Sequence, residues 1–392
     1  MTRAAEADGR RGIASVTVAV LLPTSVAGGH EYMLLEWLQR ARARGLRVTV
    51  CCGPGAEISQ LLDRCGMPCE DARYVVDKKG TLRWAQWLNF ARTLSLVGKL
   101  PREVIVLLAP GAMQFGLVHV LACALQRRAI VCYVPITHSA VTLRLKWPSL
   151  RDWIARRLAS RVAMWITVTD EQRLRLKDYW RIRAPVHVIP NRISAVSLAP
   201  ILPETRVRQQ GCFTALYAGR FDQNQKGLDW LAVLVERERW LPEIRFVFQG
   251  RGEFSNRLQA MSRRLGTDRA QVVPWGNLAQ AFASADVLLL PSRFEGLPLV
   301  AIEAIWAGIP VIATLESGLL EVLPPESLFA FGDVAGLERA LDYVRSGDHR
   351  REIVDYARRN LAALLSEERY VGGLNAVLDG LICVQVGTRA CA

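Results

Sequence analysis

Two carboxylates eight positions apart, Glu295 and Glu303, stand in the segment PSRFEGLPLVAIEAIWAG that runs from Pro291 to Gly308. An apolar run, Ala285–Leu290, precedes it. Pro298 falls near the first position of an expected helix, Gly308 just past its last, and Ile309–Thr314 reads as the next strand. The segment should therefore form a strand–loop–helix turn in a parallel α/β sheet, where ligands bind at the carboxyl ends of strands. The helix N-terminus around Leu297–Leu299, entered from Gly296 and shaped by Pro298, offers unpaired N–H groups and the positive end of a dipole, which suit a phosphate. Glu295 lies in the loop and Glu303 in the second helical turn. A buried carboxylate needs donors, and sugar hydroxyls are good ones. One short segment could then grip a phosphate, a ribose and a hexose together.

Positive charge comes from a second strand-end loop. Tyr217–Leu228 reads YAGRFDQNQKGL and follows the apolar run Phe213–Ala218. Its Arg220 and Lys226 are expected to stand largely exposed, where two cations can neutralise a diphosphate leaving group. Either alone reads as an ordinary surface charge; their place upstream of the glutamate pair favours a role. There is no Asp-x-Asp pair to hold a divalent ion against a diphosphate, so no metal or other cofactor is expected.

The order AGR…KG (218–227), FVFQGRGEF (246–254), VVPWGNL (272–278) and DVLLLPSRFEGLPLVAIEAIWAGIPVIAT (286–314) resembles glycosyltransferase family 4, of the GT-B fold. The E-x7-E spacing, the Pro-Ser before it and the Ala-Gly-x-Pro-Val after it carry the resemblance. It implies two Rossmann-like α/β domains facing across a cleft, with a C-terminal helix crossing back to the first. It also implies metal-independent transfer of a sugar, with retained anomeric configuration, from a nucleotide-sugar donor (UDP-, GDP- or similar) to an acceptor hydroxyl. On that resemblance Arg220 and Lys226 stabilise the departing diphosphate, Glu303 accepts the ribose hydroxyls and Glu295 a hydroxyl of the donor sugar. Gly250 and Gly252 let backbone approach the nucleotide. In the N-terminal half the strand Val16–Leu22 runs into a loop with Gly28 and Gly29, which resembles the family's loop near acceptor and donor phosphates. A tight turn alone would also need small residues there. A strand Ile130–Ile136 ends at His138, where the family often has a histidine near the donor sugar; capping or core packing is the alternative.

With 392 residues, 51% of them hydrophobic, the chain can build two domains with full cores. Residues 1–12 read as a disordered leader, 13–190 as an acceptor-binding domain, 191–365 as a nucleotide-sugar-binding domain entered through a proline-rich linker at 191–210, and 366–392 as the crossover helix and tail. The final helix is expected at Glu367–Ile382. Nine scattered cysteines without a second metal-type pair read as reduced thiols, and the absence of a signal-peptide pattern points to the cytoplasm. Val104–Leu125 is apolar enough to suggest a membrane span, but Pro110, Gly111, Gln114 and His119 break it into a strand (Val104–Ala109), a turn and a buried helix (Ala112–Gln126).

The net charge of +13 raises nucleic acid as a partner, but no basic stripe with interleaved stacking aromatics supports it. An anionic membrane surface fits better. Leu145–Trp165 carries Trp147, Leu150, Trp153, Ile154 and Leu158 at helical spacing, flanked by six basic residues against the single acid Asp152. Lys78–Arg92, with Trp84 and Trp87, is a second such stretch. Ordinary helices on a sheet also show this pattern. A lipid-linked or glycan acceptor in a cell-envelope or exopolysaccharide pathway follows. Two alternatives remain: another enzyme of paired Rossmann-like domains, an epimerase or phosphorylase, and a non-catalytic sugar- or membrane-binding scaffold.

Overall fold

The structure is a computed structural model that describes residues 13–24, 28–53, 56–71, 83–192, 213–237 and 243–390. The expected leader at 1–12 and all but two residues of the expected linker lie outside the described residues. The chain divides into two compact units, Met1–Asn191 with Glu367–Ala392, and Arg192–Ser366.

The first unit carries strands β1 (Thr17–Leu22), β2 (Arg47–Cys52), β3 (Cys69–Asp71), β4 (Ile105–Leu108), β5 (Ile130–Tyr133), β6 (Met164–Thr167) and β7 (Val186–Val188). Between them lie helices α1 (Gly29–Ala43), α2 (Ala56–Arg64), α3 (Arg83–Lys99), α4 (Leu117–Leu125), α5 (Pro148–Ala159) and α6 (Asp170–Asp178). The strands form one parallel sheet in the order β3-β2-β1-β4-β5-β6-β7. β1, β4, β5 and β6 are almost wholly buried, mainly apolar runs, as a sheet covered on both faces requires. Chain direction across the sheet reverses between β1 and β4, which makes the loops after those strands the topological switch point.

In the second unit β8 (Phe213–Arg220), β9 (Ile244–Arg251), β10 (Ala270–Val273), β11 (Val287–Leu290), β12 (Val311–Thr314) and β13 (Leu328–Phe329) form a parallel sheet in the order β10-β9-β8-β11-β12-β13. The helices are α7 (Gln223–Lys226), α8 (Leu228–Arg237), α9 (Ser255–Leu265), α10 (Leu278–Ala283), α11 (Leu299–Trp306), α12 (Val334–Arg345) and α13 (Gly347–Leu364). Its core gathers Tyr217, Phe246, Phe248, Leu231, Leu258, Met261 and Leu341. The switch point falls between β8 and β11; β8 ends on Arg220, and the segments following the two strands carry Lys226 and Glu295.

α14 (Glu367–Ala390) returns to the first unit. Arg40 binds Glu367 at 3.3 Å, Arg369 pairs with Asp170, and Gln385 donates to Ser15 O at 3.1 Å. This helix runs eight residues beyond the expected end at Ile382. Gly347–Gly387 has the length and apolarity of a membrane span, but it is two helices broken at Leu365–Ser366.

Several boundaries differ from expectation. β5 stops at Tyr133 rather than Ile136, and only an isolated bridge joins Ile136 to Ala112. The expected helix Ala112–Gln126 is a 3-10 turn at Met113–Phe115 followed by α4, because Gly116 interrupts it. Pro298 is the N-cap of α11, with φ −71° and ψ 122°, so the helix starts at Leu299.

Candidate functional site

The second unit builds its cluster from two loops. After β8, Asp222 caps the single turn of α7 by accepting from Asn224 N and Gln225 N at 2.8 and 2.9 Å. The chain then turns at Gly227, whose φ of +65° favours glycine; a Cβ there would collide with Pro291 O. This contact lays the α7 turn against the loop after β11. Arg293 N donates to Gln225 O at 2.8 Å, and the Arg293 guanidinium grips Asp229 with two bonds of 2.8 Å while lying over the Phe331 ring.

On this scaffold Lys226 Nζ meets Glu295 Oε1 at 2.5 Å, with side chains only 14% and 9% exposed. Ser292 Oγ donates to the same carboxylate oxygen at 3.1 Å. Gln225 Nε2 donates to the other oxygen at 3.1 Å, and Gln225 Oε1 accepts from Arg220 Nη2 at 2.8 Å. Arg220, Gln225, Glu295 and Lys226 thus form one hydrogen-bonded chain. The expectation that both cations stand exposed holds for Arg220 and fails for Lys226, which is half-buried because Gly227 draws the turn inward. Glu295 already accepts from three protein donors, so its observed work is to hold Lys226 and Gln225 in place.

Gly296, Leu297 and Pro298 are buried in the turn into α11. Ala301 N bonds back to Pro298 O, while the N–H groups of Leu299 and Val300 lie outside the helical ladder, as at any helix N-terminus. Glu303, one turn further on, is not tied into the Glu295 cluster. Burial pushes its carboxyl up from 4.5 to about 7, and among the described residues its carboxylate has no hydrogen-bond partner. A half-buried carboxylate that no protein donor reaches is destabilised unless water or a ligand supplies donors. Gly250 and Gly252 lie at the end of β9 beside Gly219 and Arg220. A Cβ on either would strike backbone of Gly219 or Phe221. The close approach that requires these glycines is therefore between neighbouring strand ends.

The remaining sequence candidates lie at the carboxyl edge of the first unit's sheet. Gly28 is the N-cap of α1, and its N–H donates to Glu31 Oε2 at 2.9 Å; Gly29 is the exposed first residue of that helix. His138 is buried, and its imidazole is pushed down to about 3 by burial and then by Arg175. Its loop is held at successive backbone groups. Gln172 Oε1 accepts from Thr137 N at 3.0 Å, Trp180 Nε1 donates to Thr137 O at 2.6 Å, Gln114 Nε2 donates to His138 O at 2.9 Å, and Asp152 accepts from Ala140 N at 2.9 Å. Sequence reading missed these clamping residues, and missed Gln225, Arg293 and Asp229. Only Asp222, two residues past a strand and ahead of a short turn, carried a local capping signal. Among the described residues no group of three His, Cys, Asp or Glu side chains is placed to hold a metal.

Comparison with known proteins adds to this geometry. The family model described as Glycosyltransferase Family 4 matches residues 27–195, and that described as Glycosyl transferases group 1 matches residues 212–345. Sulfoquinovosyl transferase SQD2 of Arabidopsis thaliana is 30% identical over 141 residues, 34% of this chain and 27% of that protein. Lipopolysaccharide 1,6-galactosyltransferase of Escherichia coli K12 is 30% identical over 148 residues, 34% of this chain and 40% of that protein. The chain thus spans well under half the length of these relatives. Among solved structures, Anabaena HepE in complex with UDP and glucose aligns with a TM-score of 0.68 and 16% identity, over 93% of this chain and 99% of that one. Sucrose-phosphate synthase from Thermosynechococcus elongatus aligns with a TM-score of 0.68 and 16% identity, over 94% and 99%. At such identities the structural likeness is one of fold, two Rossmann-like domains of GT-B type.

Proposed function

Because the chain belongs to glycosyltransferase family 4, we propose that it moves a hexose from a nucleotide-sugar donor to an acceptor hydroxyl, without a metal and with retained anomeric configuration. The observation that carries this reading is the pairing of two features at one strand-end switch point: the Arg220–Gln225–Glu295–Lys226 chain and half-buried Glu303, which among the described residues no protein donor reaches. Arg220 and Lys226 are two cations in reach of one loop, suited to a departing diphosphate. The open N–H groups of Leu299 and Val300 add the positive end of α11. Glu303 lacks donors, and the paired hydroxyls of a ribose are donors of the right kind. Glu295 keeps Lys226 aimed through their 2.5 Å contact, and we assign it a hydroxyl of the donor sugar, which would have to compete with its protein donors.

The acceptor side is assigned to the first unit, where the clamped loop holds buried His138 at the carboxyl edge of that unit's sheet. We assign a lipid-linked acceptor in cell-envelope or exopolysaccharide synthesis, with the protein at the cytoplasmic face of a membrane. Likeness to a lipopolysaccharide galactosyltransferase and to a sulfoquinovosyl transferase supports that assignment.

A panel of UDP- and GDP-sugars tests the reading, first by thermal shift and then by release of nucleoside diphosphate. A bound donor raises the melting temperature by mass action. Proton NMR of the product anomer then decides retention. Purified protein that neither binds nor turns over any member of the panel removes the transferase assignment.

A further inference from the structure

We propose that the loop from Val141 to Trp147 and the outer side of α5 form a docking surface for an anionic phospholipid bilayer. The inference deepens the transferase reading, on which its purpose rests.

The two sides of α5 differ in kind. Inward, Asp152, Ala155 and Ala159 are buried, and Leu158 packs against the core of the first unit. Outward, Val141, Trp147, Leu150 and Trp153 are 65%, 64%, 52% and 56% exposed. Ile154 and Leu158, grouped with them by spacing alone, are half-buried and do not belong to this surface. An indole normally gains by burial, so two exposed tryptophans and an exposed leucine within seven residues mark a surface that lacks its partner. Backbone geometry adds to the case. Arg144 and Trp147 sit at φ 54° and 52°, a left-handed conformation disfavoured for bulky residues. Trp147 is thereby held outward as the N-cap of α5, and such strained positions cluster where a surface is used.

Charge decides which partner fits. Arg144, Lys146, Arg157 and Arg161 are exposed in this stretch. Its single acid, Asp152, faces inward and accepts from Ala140 N, Gln114 Nε2 and Tyr179 Oη. Arg157 lies over the Trp153 ring at 5.3 Å, so cation and indole present together. Tryptophan interleaved with arginine and lysine, with no outward acid, matches an interface of phosphate headgroups above acyl chains. The same helix holds the His138 loop from its other side through Asp152. Docking would therefore set that loop at a fixed height above the lipid from which a lipid-linked acceptor emerges.

The test is sedimentation of the whole protein with phosphatidylcholine vesicles, with and without phosphatidylglycerol. Binding is expected only with the anionic lipid at low salt. It should be lost near 1 M salt, where the Debye length falls to about 3 Å. Replacing Lys146, Arg157 and Arg161 with Ser should lower the partition coefficient about 10²-fold, at roughly fivefold per cation. Trp147→Ser with Trp153→Ser should weaken binding while leaving the residual salt-sensitive. Both variants should keep the wild-type melting temperature and nucleotide affinity, which shows that they fold. Equal binding to both lipids, or unchanged binding in both variants, overturns the proposal. So does self-association that Trp153→Ser abolishes, since the surface would then belong to a second copy. Vesicle binding lost with donor turnover intact removes only the docking surface, whereas absent turnover removes the transferase reading.

Discussion

Glu303→Gln is expected to make the protein more stable and less able to bind nucleotide at the same time. Burial raises the Glu303 carboxyl from 4.5 to about 7, so the folded state resists its ionisation. Below pH 4.5 the group is protonated in both folded and unfolded chains and nothing is lost. As pH rises from 4.5 to about 7 the unfolded chain ionises first, and stability falls across that window before levelling off. The gap from 4.5 to about 7, at about 1.4 kcal/mol per pKa unit, sets an upper limit of about 3 kcal/mol at pH 8. For a protein of this size that corresponds to a rise of several degrees in melting temperature, at about 2–4 °C per kcal/mol. The glutamine keeps the shape and removes the charge, so the gain should show at pH 8 and vanish near pH 4.

Nucleotide binding should move the other way. Hydroxyl donors to a carboxylate contribute about 1.5–3 kcal/mol, so the variant should bind free nucleoside diphosphate about 10- to 100-fold more weakly. Wild-type affinity should rise with pH through about 7 as Glu303 ionises, and the variant should show no such slope. Scanning calorimetry at two pH values and titration calorimetry with UDP and GDP measure both. A variant no more stable than wild type at pH 8, with unchanged nucleotide affinity, would falsify the idea that Glu303 is a destabilised carboxylate kept for a ligand.

Three further outcomes follow from the same geometry. Arg220→Ala should lower turnover by roughly 10²–10³ with little change in melting temperature, because the side chain is exposed; unchanged turnover would end its diphosphate role. Lys226→Met should cost as much activity and also about 3 kcal/mol of stability, since it strands buried Glu295, and adding Glu295→Gln should recover part of that stability; additive losses would mean the pair is not coupled. Burial holds His119 at about 4 and His138 at about 3, so both bind protons more readily when unfolded, and stability should fall as pH drops below 6.5; an acid melting curve unchanged in His119→Gln with His138→Gln would contradict this.

The sequence alone determined the features that depend on neighbours along the chain. Alternation of apolar runs with helical patterns placed β1, β4 and β5 of the first sheet's seven strands, and β8, β11 and β12 of the second sheet. The E-x7-E segment with its Pro298 and Gly308 punctuation marked a strand–loop–helix turn, because backbone propensity and capping act over a few residues. Arg220, Lys226 and Glu295 were visible as residue types at strand ends, and Glu303 as one in the helix that follows. Tertiary structure decided what those residues touch. Gln225, bonded to Arg220, reaches Glu295 across 70 positions, Arg293 holds Asp229 across 64, and Asp152 reaches back 38 to Gln114; no periodicity encodes such pairs. It also decided that Lys226 is half-buried, that Gly250 and Gly252 serve strand contact, and that Trp147 and Trp153 face out while Leu158 faces in. Burial and partner distance depend on how distant segments pack, and those two quantities set whether a charge is paired, protonated or free to meet a ligand.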